Sequence, residues 1–249
     1  MRRPMTQEKP ATAAMLAIGD EILSGRTKDK NIGHFADTMS LAGIDLKEVR
    51  IVPDEEPAIV TAVNALRERY DIVVTSGGIG PTHDDITADA IGAAFGRLVG
   101  EHPEAVARLE AYYEGRGLPF TQARRRMTRT PEGASLIDNP VSVAPGFSVE
   151  NVHVLAGVPH VFQAMLGNLV ETLPNGMPVM SRSVPCPLGE GDIGGPLAKL
   201  ARERDGVSIG SYPRFAEGRY TTEIVIRSRD ETLLDEAEAA VKALIGEVS

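Results

Sequence analysis

Two adjacent carboxylates, Asp84 and Asp85, follow a glycine-rich loop in "DIVVTSGGIGPTHDDIT", residues 71–87. Glycines such as Gly77, Gly78 and Gly80 let a backbone approach a bound group closely and tolerate positive φ. The open amides at the start of a following helix suit a phosphate. Two acids beside such a loop repel phosphate unless a cation lies between them, and hard divalent ions such as Mg²⁺ bridge carboxylate and phosphate oxygens. Asp20 and Glu21 follow an earlier apolar run in "AIGDEILSG", and Asp54 follows another. The chemistry on offer is metal-assisted work on an esterified anion. Helix capping is the simpler role for each acid taken singly. Thr82 and Asp85 have the spacing of a capping box, and Asp54 suits an N-cap before the next helix.

These acids act together only if the fold gathers them. "AAMLAIG" is a short continuous apolar run ended by Gly19, as expected of a strand buried on both faces. "NIGHFADTMSLAG" places Ile32, Phe35, Ala36 and Met39 at helical spacing, with Gly43 at the C′ position. "DLKEVRIV" predicts a second strand. "PAIVTAVNALRERY" then sets Ile59, Ala62, Val63 and Leu66 on one helical face. Strand "DIVVTSGG" and helix "DDITADAIGAAFG" complete the third alternation. The alternation predicts an α/β fold with a parallel sheet, right-handed crossovers and helices on both faces. All three strand ends then lie on one carboxyl edge, where open α/β sheets bind ligands. No Gly-Lys-Ser/Thr follows the glycines, so the loop is not a P-loop. "GIGPTH" lacks the last glycine of a dinucleotide fingerprint.

The middle of the chain is less regular. "HPEAVARLEAYYEGRG" and "TQARRRMTRTP" predict helices, and "ASLIDNPVSVAPGFSVENVHVLAGVP" predicts two or three strands. "HVFQAMLGNLVETLP" has Phe162, Met165, Leu166 and Leu169 on one face. The turn-rich "NGMP" after Pro174 marks a boundary. Beyond it the pattern is strand, helix, strand, strand, helix. In "YTTEIVIRS" Tyr220, Thr222, Ile224 and Ile226 form one buried face, and the last helix carries Leu233, Ala237, Val241 and Leu244. The expected division is a flexible tail over 1–11, a large domain over 12–175 and a small α+β module over 176–249.

With 249 residues, 42% hydrophobic and 24% charged, the composition is that of a globular protein able to bury a core. A net charge of −9 argues against a general nucleic-acid surface but leaves room for a small anion held by backbone amides. The lone Cys186 excludes an internal disulfide and a multi-cysteine zinc site, and fits a reduced, cytoplasmic setting. The first apolar run is too short for a signal segment or a membrane span.

"GDEILSG", Asn31, the Asp54 turn and "TSGGIGPTHDDIT" together resemble the MoaB/MogA (molybdopterin-binding) family, and within it the N-terminal part of CinA-type proteins and the related domain of FAD synthases. "APGF" at 144–147 and "LAGVP" at 155–159 match in type and order, over roughly residues 13–175, and the trailing module is similar to the KH-type segment of CinA. The resemblance implies a three-layer α/β/α domain and a homo-oligomer. It implies either molybdopterin binding or a pyrophosphatase dependent on Mg²⁺, Mn²⁺ or Co²⁺ that cleaves ADP-ribose or FAD, so that the partner is a small phosphorylated nucleotide or pterin. Asp20, Asp84 and Asp85 would be the metal-linked acids, and Asp54 a fourth catalytic carboxylate. Ser76, Gly77, Gly78, Gly80, Pro81 and Thr82 would cradle the diphosphate. Gly19, Glu21 and Asn31 would join them, with Thr87, Gly157 and Pro159. Two departures stand out. CinA-type chains carry "PGVPxEM" where this chain has residues 156–162 as "AGVPHVF", so the glutamate is missing. The chain also ends after the small module, which implies no nicotinamide-mononucleotide deamidase activity.

Three further features each carry two readings. Arg124, Arg125, Arg126 and Arg129 form either a solvated basic face or a source of one phosphate ligand, Arg125 or Arg129. His83 is an acid–base candidate or a solvent-facing loop residue, and the other histidines lack metal-ligand spacing. Gly191-Asp192-Ile193-Gly194 has the letters of an RNA-clamping GxxG loop, but Asp192 and Glu190 oppose a phosphate, so packing or dimerisation is the expected role.

Overall fold

The first apolar run forms β1 (Thr12–Ile18), buried from Ala13 onward because sheet neighbours flank it and helices cover both its faces. The structure, a computed structural model, describes residues 9–174, 176–216 and 219–248. The expected tail lies outside the described residues as far as residue 8, and the carbonyl of Ala11 already accepts the Asp45 N–H at 2.8 Å. After β1 come α1 (Asp20–Leu23), α2 (Asn31–Leu41), β2 (Asp45–Val52), α3 (Glu56–Arg67), β3 (Ile72–Ser76) and α4 (Thr87–Phe95). Then follow β4 (Val99–Glu101), α5 (Pro103–Glu114), α6 (Gln122–Arg125), β5 (Arg129–Pro131), β6 (Ser135–Ile137), β7 (Gly146–Val149), β8 (Val152–Leu155) and α7 (Pro159–Val170).

The main sheet runs β2-β1-β3-β8-β7-β6. The first four strands are parallel, and β7 runs against both β8 and β6. The fold is thus a three-layer α/β/α domain on a mostly parallel sheet. One apolar layer joins Ile59, Val63 and Leu66 of α3 to Ile91 of α4. The other joins Phe35 and Met39 of α2 to Phe162, Met165 and Leu166 of α7. Cutting back such a fully buried leucine costs about 2–5 kcal/mol.

Three local expectations change. The helix after the glycine loop starts at Thr87, not at Asp84, because the Asp85 carboxylate turns back to the Thr82 N–H and closes a turn first. The arginine-rich stretch is helical only over α6 and a 3₁₀ turn, Arg126–Thr128, before it becomes β5. A two-stranded antiparallel ribbon, β4–β5, is new: three residues per strand are too few for a period to register.

The described residues divide after Gly176 into two units. The second contains β9 (Met180–Cys186), α8 (Glu190–Arg202), β10 (Val207–Ala216), β11 (Arg219–Ser228) and α9 (Glu231–Val248), with sheet order β10-β11-β9. Thr222, Ile224 and Ile226 are buried there, but Tyr220 is 70% exposed, since it precedes Thr222, the first residue of β11 that pairs with β9. On α9, Leu234 is buried with Ala237 and Val241, and Leu233 lies one position off that stripe. Residues Gly191–Gly194 lie inside α8, so they form no clamping loop.

Candidate functional site

Chain order places a cleft at the carboxyl edge of the main sheet. From β1 the chain crosses to β2 on one side, and β3 pairs with β1 on the other, so the crossovers diverge and leave a crevice. The cavity there measures about 550 Å³, within the usual size of a small-molecule site.

The glycine loop forms the floor. Gly77 has φ 111° and Gly78 φ 68°. A Cβ on Gly77 would sit 2.2 Å from the Ile18 carbonyl oxygen, and one on Gly78 would sit 2.1 Å from Thr87 Oγ1. Backbone conformation and close approach therefore both require glycine at these two positions. Thr87, fully buried, fixes the loop: its Oγ1 donates to the Gly77 carbonyl and its N–H to the Gly78 carbonyl, each at 3.0 Å. Asn31, 3% exposed, donates Nδ2 to Ser76 Oγ and to the Gly157 carbonyl, both at 2.8 Å. Its Oδ1 is buried and has no hydrogen-bond partner among the described residues.

Of the expected ligand-facing residues, Glu21, Gly77, Gly78, Gly80, Pro81, Gly157 and Pro159 border the cleft. Gly19, Asn31, Ser76, Thr82 and Thr87 do not, and the last four hold the neighbouring backbone in shape. Pro159 opens α7, so that helix points its N-terminus and positive dipole end at the same cleft.

The acids gather unevenly. Glu21, Asp54, Asp84 and Asp85 border the cleft, while Asp20 contributes its backbone N–H, which donates to Asp54 Oδ2 at 2.9 Å. Burial pushes the Asp54 carboxyl above its ordinary range. The Asp20 N–H opposes that shift, and the charges of Glu21, Asp20 and Asp84 add to it. A hydrogen bond from the Thr82 side chain, followed by one from the Asp84 N–H, holds the exposed Asp84 carboxyl below its usual range when that hydroxyl turns from Asp85 to Asp84.

Asp20, Asp84 and Asp85 do not converge as a metal-binding trio. Among the described residues no three His, Cys, Asp or Glu side chains are placed to hold an ion. The physical reason is local: the Asp85 carboxylate accepts both the N–H and the hydroxyl of Thr82. What fits a divalent cation is the donor chemistry. Hard carboxylate oxygens crowd around Asp54, and Mg²⁺ is commonly held by one or two carboxylates plus substrate phosphate.

The arginine stretch resolves differently from expectation. Arg125 pairs with Glu101 at 3.1 Å, and Arg129 forms a two-pronged pair with Asp89 at 2.7 and 2.6 Å. Arg126 instead reaches the acidic turn, donating Nε to the Thr82 carbonyl at 3.0 Å and a terminal nitrogen to the Asp85 carbonyl at 3.1 Å. The His83 side chain is fully exposed, 4.0 Å from an Asp84 oxygen. Sequence reasoning also missed Met127, Asn139, Ser142 and Ala144 in the cleft wall. "APGF" marked the neighbourhood of the last, the arginine run included Arg126 without distinguishing it, and nothing local marked Met127.

Known proteins place the chain in a lineage. Residues 14–175 match the family described as "Probable molybdopterin binding domain", and residues 178–249 match "FAD synthase, middle domain". A protein of Aeropyrum pernix is 32% identical over 249 aligned positions, covering 95% of this chain and 92% of that one. A CinA-like protein of Syntrophus aciditrophicus is 32% identical over 247 positions, which cover 90% of this chain but 57% of that longer relative. The crystal structure of CinA from Thermoplasma acidophilum matches with a TM-score of 0.61 and 30% identity, covering 66% of this chain and 98% of that one. The chain thus belongs to the probable molybdopterin-binding domain family, in its CinA-like branch, and continues into a segment of the FAD synthase middle-domain type.

Proposed function

We propose that the protein is a metal-dependent pyrophosphatase acting on a dinucleotide diphosphate such as ADP-ribose or FAD. The observation that carries this is Asp54: a carboxylate with a raised pKa, beside Glu21 and Asp84, at the mouth of a glycine-floored cleft. Amides of the loop after Gly77 and the N-terminus of α7 receive the diphosphate oxygens and the charge that builds on them during attack. Asp54 takes the proton of the attacking water, a role its raised pKa favours. Oxygen adds to one phosphorus, the bridging P–O bond breaks, and from ADP-ribose the products are AMP and ribose 5-phosphate. Glu21 and Asp84, beside Asp54, would hold a divalent ion, which would supply neutralisation of the diphosphate charge and a more acidic water. The FAD synthase-type segment supports a flavin or adenine dinucleotide. The test is incubation with ADP-ribose or FAD and Mg²⁺, Mn²⁺ or Co²⁺; absence of AMP under every metal refutes the proposal.

The absence of a converged metal trio among the described residues favours one second reading. The cleft then binds molybdopterin, or another phosphorylated pterin, without turnover. Calorimetry with molybdopterin against ADP-ribose separates the two. In either case the protein works as a homo-oligomer, which sedimentation velocity checks. No helix among the described residues is long and apolar enough to cross a membrane.

A further inference from the structure

The main sheet has one long open edge. β2 pairs with β1 on one side, and among the described residues no strand pairs with its other side. One bond fixes the backbone directions along it. The Val52 carbonyl accepts the Gly19 N–H, just past the end of β1, so the backbone groups of Val52 point toward β1. Counting back in twos, Arg50 and Glu48 point the same way, while Ile51, Val49 and Lys47 direct N–H and C=O outward. Among the described residues these three make no backbone hydrogen bond on that side.

Side chains alternate by the same count. Val52 packs into the layer of α3 and α4, so Val49 and Ile51 face the layer of α2. They are 37% and 39% exposed there. An open row of backbone groups recruits another strand unless it is blunted. Here the blunting lies at the two ends. A register shift opposite Ala13 and Ala14 interrupts the strand before Glu48, and Pro53, which has no N–H, follows Val52.

Charge selects the strand that fits. In antiparallel self-pairing about a two-fold axis at Val49, Val49 faces Val49, Lys47 faces Ile51, and Glu48 faces Arg50 of the second copy. Opposite charges then meet on both sides of the axis. Outward backbone groups meet only outward ones. Sliding the register by two residues sets Glu48 against Glu48 or Arg50 against Arg50, and like charges directly opposite are unfavourable. Sliding by one sets outward residues against inward ones. Arg50 Nε already donates to Glu48 at 2.6 Å within one chain, so both side chains stand on the face where the crossed pairs form.

We propose that β2 docks on β2 of a second copy, antiparallel and centred on Val49, so that two main sheets join into one. This rests on the homo-oligomer reading above and names its interface. The axis stands perpendicular to the sheet. Both α2 layers therefore lie on one face and both α3 layers on the other, and Val49 and Ile51 of the two copies form one apolar strip. The paired run ends before Asp54, so both clefts stay open, at opposite ends of the joined sheet.

The test begins with oxidation of Val49→Cys in the full chain. Cα atoms of such a hydrogen-bonded pair lie about 5.5 Å apart, within disulfide reach, and the native Cys186 is buried. A disulfide-linked dimer should form, and Leu98→Cys, at a position 81% exposed, should give none. Val49→Pro removes an outward N–H and leaves the bonds to β1 in place. In sedimentation velocity it should raise the dimer dissociation constant on the order of tenfold or more, as expected for the loss of the hydrogen bonds on the axis. Ile51→Lys, which would face Lys47 of the second copy, serves if the proline variant does not fold. A wild-type oligomer that persists in these variants and gives no Val49 cross-link overturns the inference and leaves the homo-oligomer standing. A wild-type monomer at every concentration overturns both.

Discussion

Asp54 takes a hydrogen bond from the Asp20 backbone at 2.9 Å, yet its carboxyl is still pushed above its ordinary value of 3.8. One N–H does not offset the burial and the three acids around it. The raised pKa is a cost to folding: stability from this group is complete below 3.8 and declines as pH rises through the folded value. Asp54→Asn keeps an oxygen for the Asp20 N–H and removes the charge. Its melting temperature should exceed wild type at pH 7–8, and the gain should vanish near pH 4. Pyrophosphatase activity should fall on the order of 10²-fold or more, the typical contribution of a general base. A thermal scan against pH and an AMP assay check both halves.

Arg126 joins the carbonyls of Thr82 and Asp85. Arg126→Lys keeps the charge but cannot span two acceptors with a rigid fork. It should lose about 1–3 kcal/mol of stability and speed hydrogen exchange selectively at residues 82–85. Arg125→Lys, which alters pairs with Glu101 and Glu110 and a stack on the Phe120 ring, should leave that turn unchanged.

Gly78→Ala meets both a positive φ and a 2.1 Å contact with buried Thr87 Oγ1. It should destabilise the fold by about 2–4 kcal/mol and abolish binding of inorganic pyrophosphate. Gly25→Ala, also at positive φ but with open space around it, should cost about 1 kcal/mol. Chemical denaturation of the two variants separates strain from collision.

His153 is buried, and burial lowers its pKa from 6.5 to about 4. Its Nδ1 lies 2.8 Å from Ser148 Oγ, across the β7–β8 pair. The unfolded chain binds this proton first, so the stabilising contribution is complete above 6.5 and is lost as pH falls toward 4, by about 3 kcal/mol at most. His153→Gln should flatten the stability curve between pH 6.5 and 4, as read by urea unfolding at each pH.

Much of the scaffold was legible because its signals are local. Ile59, Ala62, Val63 and Leu66 were named as one face of α3, and all four are buried. The continuous apolar runs of β1 and β3 announced buried parallel strands in the same way. The cleft was legible only in part. Glycines and acids follow strands visibly, but their side-chain directions depend on partners far along the chain. Arg126 meets Thr82 across 44 residues, and no periodicity reports such a contact. Asn139 was not singled out in the sequence, and only its four hydrogen bonds show that it shapes the cleft wall. The metal trio came from the family resemblance, and the carboxylate of one member, Asp85, is turned to the N–H and hydroxyl of Thr82.

The β4–β5 ribbon closes the excursion that carries α5 and α6 at its base, where the His102 N–H also meets the Thr128 carbonyl at 2.8 Å and Arg129 grips Asp89. Arg126 and Met127 sit just inside that fastening. α5 itself buries only Ala105 and Leu109. Its outer surface can therefore drift through many sequences over generations while the two residues delivered to the cleft keep their stations.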